Sequence, residues 1–180
     1  MRYMPKKILI ALCLLLSTIA AQSQLRYGIL LGGEFTRPTG NTAAGGSGFT
    51  GGLQLEYKLP MCGLAFGTSA TYQRRTINAG EKLGGDFIAV PVAVKYKFPL
   101  PIFKELAGPL LFTGPNFAWR VSDAEGKNFH LGWDVGIGID IINFIQLTAG
   151  YRFGINNVYT PTATIRDSGW FFNAGLLFDL

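Results

Sequence analysis

Few side chains in this sequence have the type and spacing to do chemistry. His130 is the single histidine. Asp134 shares its face of an extended chain, but four residues along a strand is roughly 13 Å, too far for a hydrogen-bonded acid–base pair. If the SDAEGKN segment turns as a hairpin, Arg120 and Ser122 approach His130 across the ladder, the arrangement of a Ser122–His130 hydrolase acting on lipid or peptide. Arg120 works against that reading, because a neighbouring guanidinium disfavours the imidazolium such a mechanism builds. Cys62 lies in a turn and is the one cysteine beyond the N-terminal segment, so no internal disulfide is available to it. GGEFTRPTG carries no Lys-Ser/Thr after its glycines and is not a phosphate loop, and no spacing of His, Cys and carboxylates suits a metal. The sequence assigns no catalytic, cofactor-binding or metal-binding residue, and no cofactor is expected.

The remaining charges share a placement. Glu34, Glu56, Lys58, Lys95, Lys97, Arg120, Asp134, Asp140, Arg152 and Asp179 fall on the less apolar face of alternating segments, with the two signs close to balance. HLGWDVGIGID shows the pattern most plainly: Leu131, Trp133, Val135, Ile137 and Ile139 take the odd positions, and glycines and carboxylates the even ones. An extended chain sends alternate side chains to opposite faces, so this is a strand with one apolar face. The same alternation marks 25–35, 48–59, 63–75, 86–98, 110–121, 145–155 and 169–180, making eight strands with 130–140. Each is about as long as the ~9 to 11 residues that cross a membrane at a tilt.

Composition agrees with an ordered β-protein. The chain is 48% hydrophobic and only 15% charged, too apolar for disorder, and its 24 glycines follow no three-residue period. The N-terminus reads as a secretory signal peptide over 1–23: Arg2, Lys6 and Lys7 precede an apolar run, and AAQSQ offers cleavage after Ala21 or Ser23. Cys13 lies inside the apolar run after Leu12, which argues against lipidation. Without the three basic residues of the signal the formal +5 falls to about +2, so the charge gives no reason to invoke nucleic acid. The barrel domain then occupies 24–180.

The connections between strands mostly alternate long and short, with PLPIFKELAG an elaborated turn among the short ones. An up-and-down barrel produces that alternation, with long loops outside and short turns on the periplasmic side, where both termini are expected. A soluble sandwich or periplasmic β-barrel would turn its apolar face inward and cover the outside with Lys, Glu and Thr, whereas here the second face is largely Gly, Ala, Ser and Asn. Small residues suit the converging interior of a narrow barrel. Arg74 is the one charge on the apolar face, at a strand end. Unpaired backbone groups are prohibitive in hydrocarbon, so the strands must close. Pro91, mid-strand on the inward face, predicts a bulge or a gap in the ladder. The fold class is thus an all-β, eight-stranded, antiparallel, up-and-down transmembrane β-barrel behind a cleaved signal peptide.

Strand four, DFIAVPVAVKYKF, the YRFGINNV end of strand seven and the C-terminal GLLFDL resemble the outer-membrane β-barrel domain family that includes PorT-like proteins, and the size is similar to OmpX/OmpA-type eight-stranded barrels. That resemblance covers 25–180. It implies residence in a Gram-negative outer membrane, contact with outer-membrane lipid and passage through the barrel-insertion machinery. Such barrels commonly end in an aromatic residue; this chain ends in Leu180, on the expected face. No peptidoglycan-binding domain follows, so an OmpA-like wall anchor is not expected. The leading functional reading is a non-enzymatic structural or surface-interaction barrel working through loops 36–48, 76–86, 122–128 and 156–168, with Tyr159, Ile165, Arg166 and Asp167 as candidate contacts. Its rivals are an accessory component of protein export or envelope assembly with an envelope or secretion partner, as PorT-like members imply, a hydrolase of lipid or peptide, and a soluble periplasmic β-protein.

Overall fold

Alternation fixes each segment as extended, and the need to pair every backbone group in an apolar surround fixes how the segments meet. A computed structural model describes residues 24–37, 45–59, 62–76, 78–79, 81–82, 85–98, 107–122, 127–156 and 166–180. The expected signal peptide lies outside them. The strands are β1 (Leu25–Thr36), β2 (Gly46–Lys58), β3 (Leu64–Arg75), a two-residue ribbon β4 (Asn78–Ala79) and β5 (Glu81–Lys82), then β6 (Gly85–Lys97), β7 (Ala107–Arg120), β8 (Phe129–Ile141), β9 (Ile145–Gly154) and β10 (Gly169–Asp179). Eight of them close into a barrel in the order β1-β10-β9-β8-β7-β6-β3-β2, each pairing antiparallel with its chain neighbour. The seam between first and last strands runs unbroken from Arg26↔Asp179 to Thr36↔Gly169. β7 starts at Ala107, three residues before the apolar alternation becomes legible. Most of the preceding PLPIFKELAG segment lies outside the described residues.

The outer wall is apolar throughout its middle. Leu31, Leu53 and Ile137 are each more than 60% exposed, the behaviour of side chains whose solvent is hydrocarbon. Aromatic rings collect above and below this aliphatic band. At the end carrying the termini, Phe178 packs against Tyr27 at 5.8 Å and against Phe144 at 5.0 Å; at the loop end, Tyr151 meets Trp170 at 5.1 Å and Trp119 meets Phe129 at 5.6 Å. Two such girdles mark the two membrane–water interfaces.

Glycine faces inward because the lumen is narrow and aromatic residues enter it. Gly136 and Gly150 pair across β8 and β9, and a Cβ on either would stand 2.5 Å from the Phe112 ring or 2.6 Å from the Phe171 ring. Leu110, Phe112 and Phe171 form the apolar middle of the lumen on the floor those glycines leave.

Pro91 interrupts the ladder on both flanks of β6. Pairing with β3 jumps from Thr68↔Val92 to Thr71↔Ala89, and with β7 from Pro91↔Asn116 to Val94↔Thr113. Equal numbers of residues are skipped on both sides, so this is a gap and not a bulge. Thr68 Oγ1 donates to the Pro91 carbonyl at 3.1 Å, returning one partner to the broken stretch. The turn between β8 and β9 places Ile142 and Asn143 both at φ 52°, with Phe144 N–H donating to Ile141 O at 3.1 Å. Positive φ at both central positions is the hairpin geometry that matches strand twist.

Depth in the bilayer sets the cost of charge on this wall. Ile137→Arg, in the middle of the band, should lower unfolding free energy by about 2 to 4 kcal/mol, whereas Val121→Arg, beyond the loop-end edge of β7, should cost about 1 kcal/mol or less. Urea titration of each variant folded into lipid vesicles measures the difference, and equal costs would contradict the facing assignment.

Candidate functional site

The parity that sends apolar side chains out sends charges in, and closure brings charges from distant strands together in two clusters. The first lies at the termini end. Arg26, fully buried, donates to Glu56 at 3.1 Å and to Asp140 at 3.2 Å, and its Nε lies 3.4 Å from Asp179. Arg26 also donates to the Asn143 carbonyl, tying the β8–β9 turn to β1. Glu56 further accepts from Lys95 at 2.9 Å and from Lys97, while Lys97 reaches Asp140 at 2.6 Å and Gln146 bridges Glu56 and Asp140 at 3.1 and 2.7 Å. Lys58 and Lys97 line the mouth of this end, a cavity of about 170 Å³. Asp179 sits at the rim with its side chain half exposed, so it belongs to the edge of this cluster and not to the lumen proper.

The second cluster lies at the loop end. Arg152 forks onto Asp134 at 2.8 and 3.1 Å and also reaches Glu34 at 3.0 Å, a bidentate pairing supported by the Asp134↔Arg152 register. Arg75 lies 2.9 Å from Glu34 and pairs with Asp167, which His130 Nδ1 approaches at 3.3 Å. Arg75 and Arg120 both sit over the face of Phe87, at 5.1 and 5.4 Å from its centre. Asn116 donates to Asp134 at 3.1 Å. Between the two clusters lies a cavity of about 90 Å³, lined in part by Gln54, Ser69, Thr71, Ala93, Phe112 and Phe171.

Asp167 departs from expectation. It was expected as an exposed loop contact, yet it is buried, because the short strap Arg166–Ser168 folds in over the barrel mouth. Gly154 makes room for it: a Cβ there would stand 2.7 Å from the Asp167 nitrogen. Ser168 fixes the strap by accepting from Gly154 N–H at 3.1 Å through its hydroxyl and from Arg37 N–H at 2.7 Å through its carbonyl. Burial alone would raise the Asp167 carboxyl, but Arg75, with His130 and Arg152, holds it well below the usual aspartate range. Arg166 is exposed, whereas Tyr159 and Ile165 lie outside the described residues.

The Ser122–His130 pair is not assembled. Register sets His130 opposite Ala118, and Ser122 lies four positions further along, roughly 13 Å away by strand rise. Ser122 Oγ instead accepts the Asp86 N–H at 3.0 Å. Among the described residues no group of His, Cys, Asp and Glu could hold a metal ion.

Comparison with known proteins follows the same architecture. The family described as the outer membrane protein beta-barrel domain matches residues 8–178. The chain belongs to that family. As a member it is an outer-membrane β-barrel, and the match is to the domain at large, with nothing particular to PorT-like members. Among solved structures it is similar to neisserial surface protein A, with 16% identity over 86% of this chain and 97% of that one and a TM-score of 0.56, a likeness of fold. Ail, the attachment invasion locus protein of Yersinia pestis, also aligns, with 16% identity over 85% of this chain and 98% of that one and a TM-score of 0.49. No curated protein matches.

Two members of this barrel's ionic clusters escaped the sequence reading. Arg26 precedes the apolar Tyr27 and Arg75 follows the outward Arg74, so strict parity would have turned both inward. Asp167 left no such trace, because it stands outside the strand alternation.

A carboxyl held low adds stability that is complete above the ordinary aspartate range and is lost only as pH falls through the lowered value. The strap should therefore stay docked from about pH 8 to about pH 5. Amide exchange at Gly154 and Arg37, corrected for intrinsic rates, should show constant protection over that range. Asp167→Asn should weaken the protection by about 1 to 3 kcal/mol, and Gly154→Ala should displace the strap, whereas Gly108→Ala, where a Cβ meets nothing within 4 Å, should leave it in place.

Proposed function

We propose that this outer-membrane barrel is non-enzymatic and works as a scaffold that presents its loop-end surface, with both termini on the periplasmic side. One observation carries the reading: the ionisable side chains of the lumen are engaged with each other at both ends, and the strap at the loop end is itself locked into the upper cluster by Asp167. Charges spent on mutual pairing close a narrow barrel and stiffen its rim. A stiff rim holds the ends of connection 155–168 in fixed positions, which suits contact with another macromolecule outside the cell.

Orientation is testable with the chain's own thiol. Cys62 is exposed in the turn between β2 and β3, at the termini end. In intact cells a membrane-impermeant maleimide should leave Cys62 unmodified and should label Lys127→Cys in a Cys62→Ser background; the reverse pattern would invert the barrel. Purified protein should give no stable conductance steps in planar bilayers, and reproducible ion-selective steps would overturn the closed lumen. Replacing residues 158–165 with a short Gly/Ser segment, which spares Asp167, should keep the heat-modifiable barrel but remove a partner crosslinked at the cell surface. A partner that survives this replacement places the contact elsewhere.

A further inference from the structure

Pairing in the lower ionic cluster leaves one cation over. Counted by side chain, the four cations Arg26, Lys58, Lys95 and Lys97 meet the three carboxylates Glu56, Asp140 and Asp179. Those carboxylates are taken. Glu56 accepts from Arg26, Lys95, Lys97 and Gln146, Asp140 accepts from Arg26, Lys97 and Gln146, and Asp179 stands against Arg26. Lys58 lies within electrostatic reach of Arg26, Lys97, Asp179 and Glu56, yet it forms no hydrogen bond or ion pair with a described residue. Its three N–H donors are unspent, and Lys97, bonded to Glu56 and Asp140, keeps a third.

The space beside these ammoniums has room for a ligand. Lys58 and Lys97 line the same mouth cavity of about 170 Å³, together with Asp140, Ala107, Gly108 and Ile142. Gly108 stands opposite Asp140 in the β7–β8 register, and a Cβ there would meet nothing within 4 Å. A cavity of about 150 Å³ admits a molecule the size of benzene, so this one can hold a charged group and a few carbons. Its lining joins the two ammoniums to the aliphatic Ala107 and Ile142. One uncompensated positive charge calls for one negative charge. A carboxylate carries that, whereas a phosphate monoester carries about −1.5 to −2 and would set its excess against Asp140.

We propose that Lys58, with the third donor of Lys97, binds a carboxylate on a short aliphatic stem in this mouth, the stem lying against Ala107 and Ile142. A small organic acid and the C-terminal residue of a peptide share that chemistry. The site lies at the opposite end from the surface proposed above, and its binding is independent of which compartment that end faces.

The test uses the mature full-length chain folded in detergent at neutral pH. Backbone amide resonances of Ala107 and Ile142 are followed as butyrate, butyramide, inorganic phosphate, and a short alanine-ended peptide with a free or an amidated C-terminus are added in separate titrations. Butyrate should shift both resonances saturably, butyramide should not, and phosphate should bind more weakly than butyrate. Lys58→Gln should weaken butyrate binding at least about tenfold, and Lys58→Arg should keep most of it. Gly108→Leu, which fills the mouth and leaves every charge in place, should abolish it. A shift in gel migration on heating, as in the wild type, shows that each variant still forms the barrel. A free peptide terminus that binds more tightly than butyrate makes a peptide the source, and the reverse order makes it a small acid; both support the site. An equal response to butyramide or to the amidated peptide, phosphate binding tighter than butyrate, or indifference to Lys58→Gln or to Gly108→Leu would each overturn it.

Discussion

Hydrocarbon offers no hydrogen-bond partner, and the rest of this structure follows from that constraint. Eight strands can satisfy every backbone group only by closing on one another, and closure at eight leaves an interior that side chains must fill. The paired glycines of β8 and β9 let the rings of Phe112 and Phe171 enter that interior, and the charged residues above and below them have no bulk water to pair with. They pair instead across the barrel, from strands far apart in the chain. Glu56 gathers Arg26, Lys95 and Lys97 from two other strands, and Asp134 and Glu34 share Arg152. Removing one member of such a group strands a buried charge, which costs more than the pair contributes, so these residues bind the sheet into one cooperative unit.

The two ionic layers have different mechanical roles. The lower one reaches the β8–β9 turn, where the Arg26 guanidinium on the Asn143 carbonyl holds a hairpin whose Ile142 adopts a backbone conformation uncommon for a β-branched residue. The upper one reaches out of the sheet altogether and takes hold of a strap that belongs to a loop. One barrel thus has a base fixed by its own turn and a rim fixed by its own loop, with a partly empty layer of aromatic, amide and hydroxyl side chains between.

Much of this was legible in the sequence because a period of two is hard to mistake. Alternation carried the strand count of the barrel, the facing of Trp133 and Ile137 and the inward charges, and the missing donor of Pro91 announced a break in the ladder, a bulge or a gap, of which the structure has the gap. Register was not legible: nothing local tells that Asp134 meets Arg152 or that His130 meets Ala118, since those matches depend on how neighbouring strands slide before the barrel closes. The hydrolase alternative rested on a hairpin register four positions from the one adopted. Asp167 was misplaced for a related reason. Its neighbours carry no alternation, and a residue outside the pattern can be drawn inward by charges that the chain itself supplies from elsewhere, here Arg75 on β3.

The interrupted ladder around Pro91 has a consequence for how this barrel comes apart. Every other seam is zipped along its length, but β6 is held at its two ends, and the Thr68 hydroxyl restores only one acceptor in the stretch between them. Fluctuations that separate strands need the fewest broken bonds there. β6 is accordingly the breathing line of the wall, the strand whose neighbours part from it with the fewest bonds broken.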